Sequence, residues 1–449
     1  MQRDLTNGSV FKNIVLFSLP FLFSYFLQTL YGMADLFIIG QFNSAESITA
    51  VSIGSQIMHM LTVIIAGLSM GSTILIGQAV GSGKKNELSE ITGTSITLFA
   101  ILSIILTVSL FLLTPSIVNL VSTPVESIAE EISYLRICFV GLPFIIFYNV
   151  ISSIFRGMGD SKTPLIFVLI ACILNIALDF LFIGKFKMGA GGASLATVIS
   201  QTVSVIISFI ALLCSRENIK LKKTDFRISI YTLRSLLKIG LPIAFQDGFI
   251  QISFMVITII ANKRGVYVAA AVGIVEKIIT FLFLVPSSML SSVSAIASQN
   301  IGAKKEDRAK KTLFYGTFIA CTMGLIFTII FQFAAKKTLS LFTDDLTVIH
   351  LGTEYLKAYV FDCIVAGVHF SFSGYFCANE KSILSFIHNA LSIILFRIPG
   401  AYLASIYFPN TLYPMGIATV LGSLFSAIFC IIAYAIIEKS TYQRKSLQK

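Results

Sequence analysis

Carboxyl groups set inside long apolar stretches are the residues most able to do chemistry in this chain. Asp35 follows Gln28 and Tyr31 at spacings that put all three on one helical face. Asn175 and Asp179 are four residues apart and share a face, as do Thr197 and Gln201. No lysine or arginine interrupts those stretches. Two carboxylates brought together in a low-dielectric interior resist double ionisation, so such a pair shares a proton or holds a cation. A ligand set made only of oxygens suits a hard ion such as Na⁺ better than a transition metal. The competing account is a hydrogen-bonded interior carboxyl that helps helices pack.

The second half of the chain offers Asp247, Gln251, Glu276, Asp362 and His369, which are candidates to contact a cationic substrate. Ionisable groups in a bilayer cost about 2.5–3.5 kcal/mol on insertion scales and ordinarily face a protein interior or a pathway. Arg136, Glu354 and Lys357 lie near the ends of apolar stretches and can reach the interface, while Glu276 and Lys277 are neighbours able to neutralise each other in part. Enzymatic motifs are missing: there is no GxxxxGKS/T, no HExxH and no GxSxG, and His59, His350, His369 and His388 show no ligand spacing. The expectation is a protein that is not an enzyme and carries no cofactor.

The elements that position these groups follow from composition. The 449 residues are 56% hydrophobic and only 12% charged, with a mean hydropathy of +0.88, against about 25% charged residues in soluble domains. A soluble fold could not cover that much apolar surface. In lipid every backbone group must be paired internally, which leaves helices or a closed barrel. The apolar runs are roughly 20 to 28 residues long, helix length rather than strand length, and lack strand alternation. About twelve spans begin near Asn13, Ser47, Ser89, Ser127, Pro164, Gly191, Leu236, Val268, Lys311, Val348, Ser382 and Tyr413. The seven cysteines fall within or at the ends of apolar runs without CxxC spacing and read as free thiols.

The net charge of +11 does not point to nucleic acid, because the basic residues alternate between loops. One side of the membrane receives 23 lysines and arginines and the other six. The positive-inside rule then places both termini and the loop from Ser215 to Lys238 in the cytoplasm.

Internal repetition organises the whole. Ser18-Leu19-Pro20 has a counterpart in Gly240-Leu241-Pro242, and Gln78 to Lys85 in Gln299 to Lys305. Tyr134-Leu135-Arg136 matches Tyr355-Leu356-Lys357, and Ala196-Thr197-Val198 matches Ala418-Thr419-Val420. A duplication of six spans predicts an all-α membrane protein of twelve transmembrane helices. Its two six-helix lobes would be related by a pseudo-two-fold axis along the membrane normal. The lobes are expected at 1–214 and 236–449, joined by a cytoplasmic linker at 215–235. The repeat sets Ile257 opposite Asp35, and no carboxylate in the stretch from Ile398 to Ala401 answers Asp179. The coupling groups are therefore expected in the first half alone.

Pro20 with Asp35, the run from Asn175 to Asp179, Gly192-Ala193 before Thr197, the Gly81-to-Lys85 turn and Arg397-Ile-Pro399 resemble the multidrug and toxic compound extrusion (MATE) transporters over nearly the whole chain. The pattern is similar to the DNA-damage-inducible and archaeal branch. That resemblance implies coupling of H⁺ or Na⁺ at Asp35, Asn175, Asp179 and Thr197, with Gln28, Tyr31, Tyr134 and Asn149 lining the same cavity. Where another branch has a sodium-binding glutamate in span seven, this chain has Ile250, with Asp247 and Gln251 nearby; Asp362 lies near a family carboxylate of span ten. The implied activity is export of small organic cations across the cell membrane by alternating-access antiport, by a monomer that binds no nucleic acid. A flippase for a lipid-linked precursor is the alternative, but a phosphate cargo calls for a more basic interior than this one.

Overall fold

A computed structural model describes residues 4–121, 123–214 and 221–447. Arg3, Arg216, Lys220 and Lys449, counted above on the basic side, and part of the expected linker lie outside the described residues. The described residues are almost entirely helical, without a strand. Six helices come first: α1 (Val10–Phe42), α2 (Ala45–Gly81), α3 (Lys85–Leu120), α4 (Ile128–Gly157), α5 (Lys162–Asp179) and α6 (Gly189–Cys214). They are followed by α7 (Ile230–Asn262), α8 (Val266–Leu282), α9 (Leu284–Gly302), α10 (Glu306–Leu339), α11 (Leu346–Tyr359), α12 (Asp362–Ala378), α13 (Ser382–Ser392), α14 (Ile398–Tyr407) and α15 (Tyr413–Leu447). Among the described residues eleven spans are long and apolar enough to cross a bilayer, and the bent pair α11–α12, taken as one span, makes twelve.

Several helices run past the hydrocarbon-length stretch that hydropathy marks. α7 begins at Ile230 rather than near Leu236, and α10 at Glu306 rather than Lys311, because a helix carries its own backbone hydrogen bonds into the aqueous interface. Short breaks have local causes. Pro286 has no N–H to offer the Leu282 carbonyl, and the helix steps from α8 to α9 at Phe283. Together α8 and α9 form one span.

By their contacts the residues form two compact units. One comprises Met1–Thr6, Leu19–Ala244 and Ser298–Lys304, the other Asn7–Ser18, Phe245–Ala297 and Lys305–Lys449. In the first, α4 is the hub and packs on α2, α3 and α6. The described part of the segment before α7 lies along α3, where Thr97 donates to the Phe226 carbonyl at 2.9 Å and Thr232 to Glu90 at 2.9 Å. In the second unit α10 packs on α12, α8 on α11, and α15 on both α11 and α12. Where α4 is continuous, α11 and α12 meet at a 41° bend. The bend is accommodated at Gly324 of α10, where a Cβ would stand 2.5 Å from the Cys363 carbonyl oxygen.

The outward faces are apolar: Leu112 is 71% exposed and Phe333 87%. Hydrocarbon is as apolar as leucine, so such faces lose nothing in lipid and helices associate through close packing and polar links. Ser72 to Ser95 at 2.9 Å, Ser294 to the Gly374 carbonyl at 3.1 Å and Thr328 to the Val360 carbonyl at 3.2 Å are links of this kind. Each contributes about 0.6 kcal/mol on average.

Candidate functional site

Three helices of the first unit bring the oxygen-rich residues together. Asp35 on α1 is 3% exposed, Asp179 at the end of α5 is fully buried, and Asn175 lies one turn before it. Thr197 of α6 bridges them: its hydroxyl donates to Asp35 Oδ2 at 3.4 Å and accepts from Asn175 Nδ2 at 3.4 Å. The Asp179 carboxyl interacts directly with that of Asp35. All four residues expected to hold the coupling ion therefore converge. No ion pair among the described residues reaches either carboxyl.

The cluster is short of hydrogen-bond donors. Asp35 Oδ1, both Asp179 oxygens and Asn175 Oδ1 are buried without a hydrogen-bond partner among the described residues. A buried acceptor left unsatisfied costs about 1–3 kcal/mol, more when it is charged. A proton on one carboxyl, or a hard cation among the oxygens, satisfies several at once, so the donor set fits either ion. Local backbone supports the placement. Directly after Asp179 the chain winds through a π-helical turn, Phe180–Lys185, and such turns recur at functional sites.

The residues expected around this cluster divide. Tyr31 lies beside Asp35 and Gln201, and Tyr134 is buried near Asp35 and Cys138. The Tyr134 ring presses on α2 at Gly54, where a Cβ would come within 2.5 Å of Cδ1. Gln28 sits beside Tyr148. Asn149 turns its amide to the Ile145 carbonyl of its own helix at 2.8 Å.

The second unit holds a different arrangement. Asp362, the first residue of α12, is fully buried and accepts from Arg397 Nη2 at 3.1 Å. Arg397 closes a second π-helical turn, Ile393–Arg397, and also reaches the Tyr359 hydroxyl at 3.5 Å. Glu276 contacts the Thr258 hydroxyl at 3.2 Å. Asp247 is half-buried beside Cys377 and forms no ion pair with Arg397 among the described residues, and Gln251 is half-buried on the same helix. Glu354, read as an interface group, accepts from Thr411 Oγ1 at 2.6 Å and from the Leu412 N–H at 3.3 Å.

Sequence reasoning missed two associations here. Arg397 and Asp362 are 35 residues apart on different helices, so no periodicity links them. His369 and His388, which show no ligand spacing, have ring centroids 5.6 Å apart, with Ser373 Oγ 2.9 Å from His388 Nε2. Packing of α13 near α12 makes that pair.

The MatE family profile matches residues 20–181 and again 242–403. The second match is displaced from the first by 222 residues at both ends, the spacing of the internal repeat. Among relatives, the chain is 28% identical over 435 residues to YpnP of Bacillus subtilis, described as a probable multidrug resistance protein, covering 96% of each chain. YoeA of the same organism, described in the same way, is 28% identical over 366 residues, covering 80% of this chain and 79% of its own. The solved structure described as the outward-facing conformation of a multidrug resistance MATE family transporter superposes with a TM-score of 0.91 at 22% identity, covering 98% of both chains. The matched profile spans well over half the sequence and falls once in each half, so the chain belongs to the MatE family.

Proposed function

We propose that this protein is a secondary antiporter that exports small organic cations in exchange for H⁺ or Na⁺ by alternating access, with Asp35 and Asp179 as the coupling groups. The observation that carries the reading is the Asp35–Asn175–Asp179–Thr197 cluster, with its four buried oxygens that lack donors. Multidrug resistance in the names of the relatives supports a drug-like cargo. Acidic residues outnumber basic ones within the spans, which favours a cationic one.

With the pathway open to the outside, the ion occupies the cluster; opening to the cytoplasm releases it and admits cargo. Different affinities in the two states drive the cycle. One pH unit supplies roughly 1.4 kcal/mol per proton. Membrane potential adds about 2.3 kcal/mol per 100 mV only for net charge moved, so one-for-one exchange of a monovalent cation for a proton is insensitive to it. The expected orientation has both termini in the cytoplasm, with 215–235 as the linker between six-span lobes.

The test is uptake of a fluorescent cation into energised inverted vesicles under separate pH and Na⁺ gradients. Asp35→Asn and Asp179→Asn are each expected to reduce gradient-driven uptake to that of vesicles without the protein. Wild-type uptake in both variants would remove the coupling assignment, and the gradient that drives wild-type uptake names the ion.

A further inference from the structure

The start of α7 and the segment before it, both in the first unit, carry groups that the Asp35–Asp179 cluster does not use. From Leu221 to Leu241 stand five basic residues, Lys222, Lys223, Arg227, Arg234 and Lys238, against one acid, Asp225. All five are exposed, and Arg234 forms no ion pair among the described residues. Asp225 is held in its own turn, where it accepts from the Lys222 N–H at 2.7 Å, and Glu90 of α3 accepts from Thr232. The stretch therefore has a local excess of positive charge. Large apolar side chains share it: Phe226 is 40% exposed, Ile228 38%, and Ile230 and Tyr231 81% each.

The backbone that presents them is fixed. Thr97 donates to the Phe226 carbonyl, and the Ser229 N–H reaches Thr94 Oγ1 at 3.5 Å. The Asp225 carbonyl lies against Gly93 of α3, where a Cβ would collide with it. Aromatic and branched side chains held among lysines and arginines suit neither water nor hydrocarbon. They suit the boundary between the two, where apolar groups enter the acyl region and basic ones stay at the headgroups. At that depth α7 supplies a site. Arg234 and Lys238 are one turn apart on one face. With Leu237, Leu241 and Pro242 they line an open groove of about 380 Å³, within the range of ligand sites, about 300–1,000 Å³. No acid lines it. Arginine offers a forked pair of donors and lysine a point charge, so the two can bracket one phosphodiester. Leu237, Leu241 and the Pro242 ring give the groove an apolar wall further along the helix. A zwitterionic lipid brings its own ammonium group, which the two cations repel.

We propose that this groove binds one anionic phospholipid of the adjoining leaflet. Its phosphodiester lies between Arg234 and Lys238 and an acyl chain runs along Leu237 and Leu241, while Phe226, Ile228, Ile230 and Tyr231 hold the segment at the interface. By the charge asymmetry of the loops that leaflet is the cytoplasmic one, whose anionic lipids attract basic clusters beside a membrane span. No step of ion coupling enters, so the lipid site stands apart from the antiport reading.

The experiment takes the full chain in detergent and counts bound lipid by native mass spectrometry. Phosphatidylglycerol, phosphatidylcholine with the same acyl chains, and inorganic phosphate are titrated separately. Wild type is expected to retain one phosphatidylglycerol in preference to phosphatidylcholine and to hold no inorganic phosphate at the same concentration. Arg234→Gln with Lys238→Gln is expected to weaken that binding about 30-fold, at about fivefold per cation. Lys336→Gln with Lys337→Gln, which removes the same charge from the end of α10, is expected to leave it unchanged. Equal loss in both double variants, or equal retention of phosphatidylcholine, overturns the site. Inorganic phosphate held as tightly as phosphatidylglycerol makes it a simple anion site and overturns the lipid. Where the Arg234 and Lys238 variant folds poorly, wild type in nanodiscs with a photo-activatable phosphatidylglycerol decides. Label is expected on peptides from 226–241 and is expected to fall with excess phosphatidylglycerol but not with phosphatidylcholine; label confined to other peptides overturns the proposal.

Discussion

Asp35 and Asp362 are both buried carboxyls on membrane-spanning helices, and the two units hold them in opposite ways. Asp35 faces another carboxyl, an amide and a hydroxyl, and no cation among the described residues pairs with it. Asp362 faces a guanidinium at 3.1 Å. At the 222-residue displacement of the two MatE matches, Arg397 occupies the position of Asn175, Ile257 that of Asp35, Ala401 that of Asp179, and Glu276 that of Gly54. The duplicated scaffold is shared, while the acids and their partners have moved to different positions on it. One unit leaves its carboxyls without an ion-pair partner among the described residues. The other pairs one carboxyl, Asp362, with a tethered guanidinium. A repeat therefore conserves helix packing without conserving charge, since packing depends on shape and a coupling site depends on a few polar atoms.

The largest expected effect comes from making the first unit like the second. Asn175→Arg sets a guanidinium beside Asp35 and Asp179, where a tethered cation replaces the mobile one. Gradient-driven uptake is expected to fall to background while thermal unfolding shows a folded protein; uptake that keeps its ion dependence would mean the carboxyls do not couple transport. The reverse change acts on stability. Arg397→Leu leaves Asp362 buried without its cation, at a cost of about 3–5 kcal/mol. Thermal unfolding in detergent measures it, and Arg397→Leu with Asp362→Leu should recover most of the loss. A single Arg397→Leu as stable as wild type would show that the pair carries no weight. A smaller effect is expected at the repeat position where one unit has glycine and the other glutamate. Gly54→Ala forces Cβ against the Tyr134 ring, and overpacking of this kind costs about 1–3 kcal/mol. Unfolding temperature checks it, and Tyr134→Phe in the same background should not relieve the clash, because the ring and not the hydroxyl is in the way.

Much of the Asp35–Asp179 cluster was legible because it is built from local spacing. Helical periodicity alone places Asn175 and Asp179 on one face and Gln28, Tyr31 and Asp35 on another. Gln28 and Asn149 have partners that spacing does not name. Both are polar groups in the right spans, yet one sits beside Tyr148 and the other bonds to its own helix. A side chain on the correct face still has a choice of partners, and a nearby carbonyl competes with a distant carboxyl. The pairs Arg397–Asp362, Glu276–Thr258 and His369–His388 left no signal in the sequence. Each joins residues 18 to 35 positions apart on different helices, and helix-to-helix register does not follow from hydropathy.

By itself the sequence determined that the chain is a duplicated bundle of membrane-spanning helices with carboxyls in its first half. Lipid forbids unpaired backbone, apolar runs of span length then have to be helices, and a displacement of about 220 residues recurs whatever the packing. Only the tertiary structure decided which carboxyls meet a cation and which meet each other. That depends on the rotation of each helix about its own axis and on the π-helical turns at Phe180–Lys185 and Ile393–Arg397. Such rotations are set by small-residue contacts and single hydrogen bonds between helices, and their strength and direction exist only once the helices have packed.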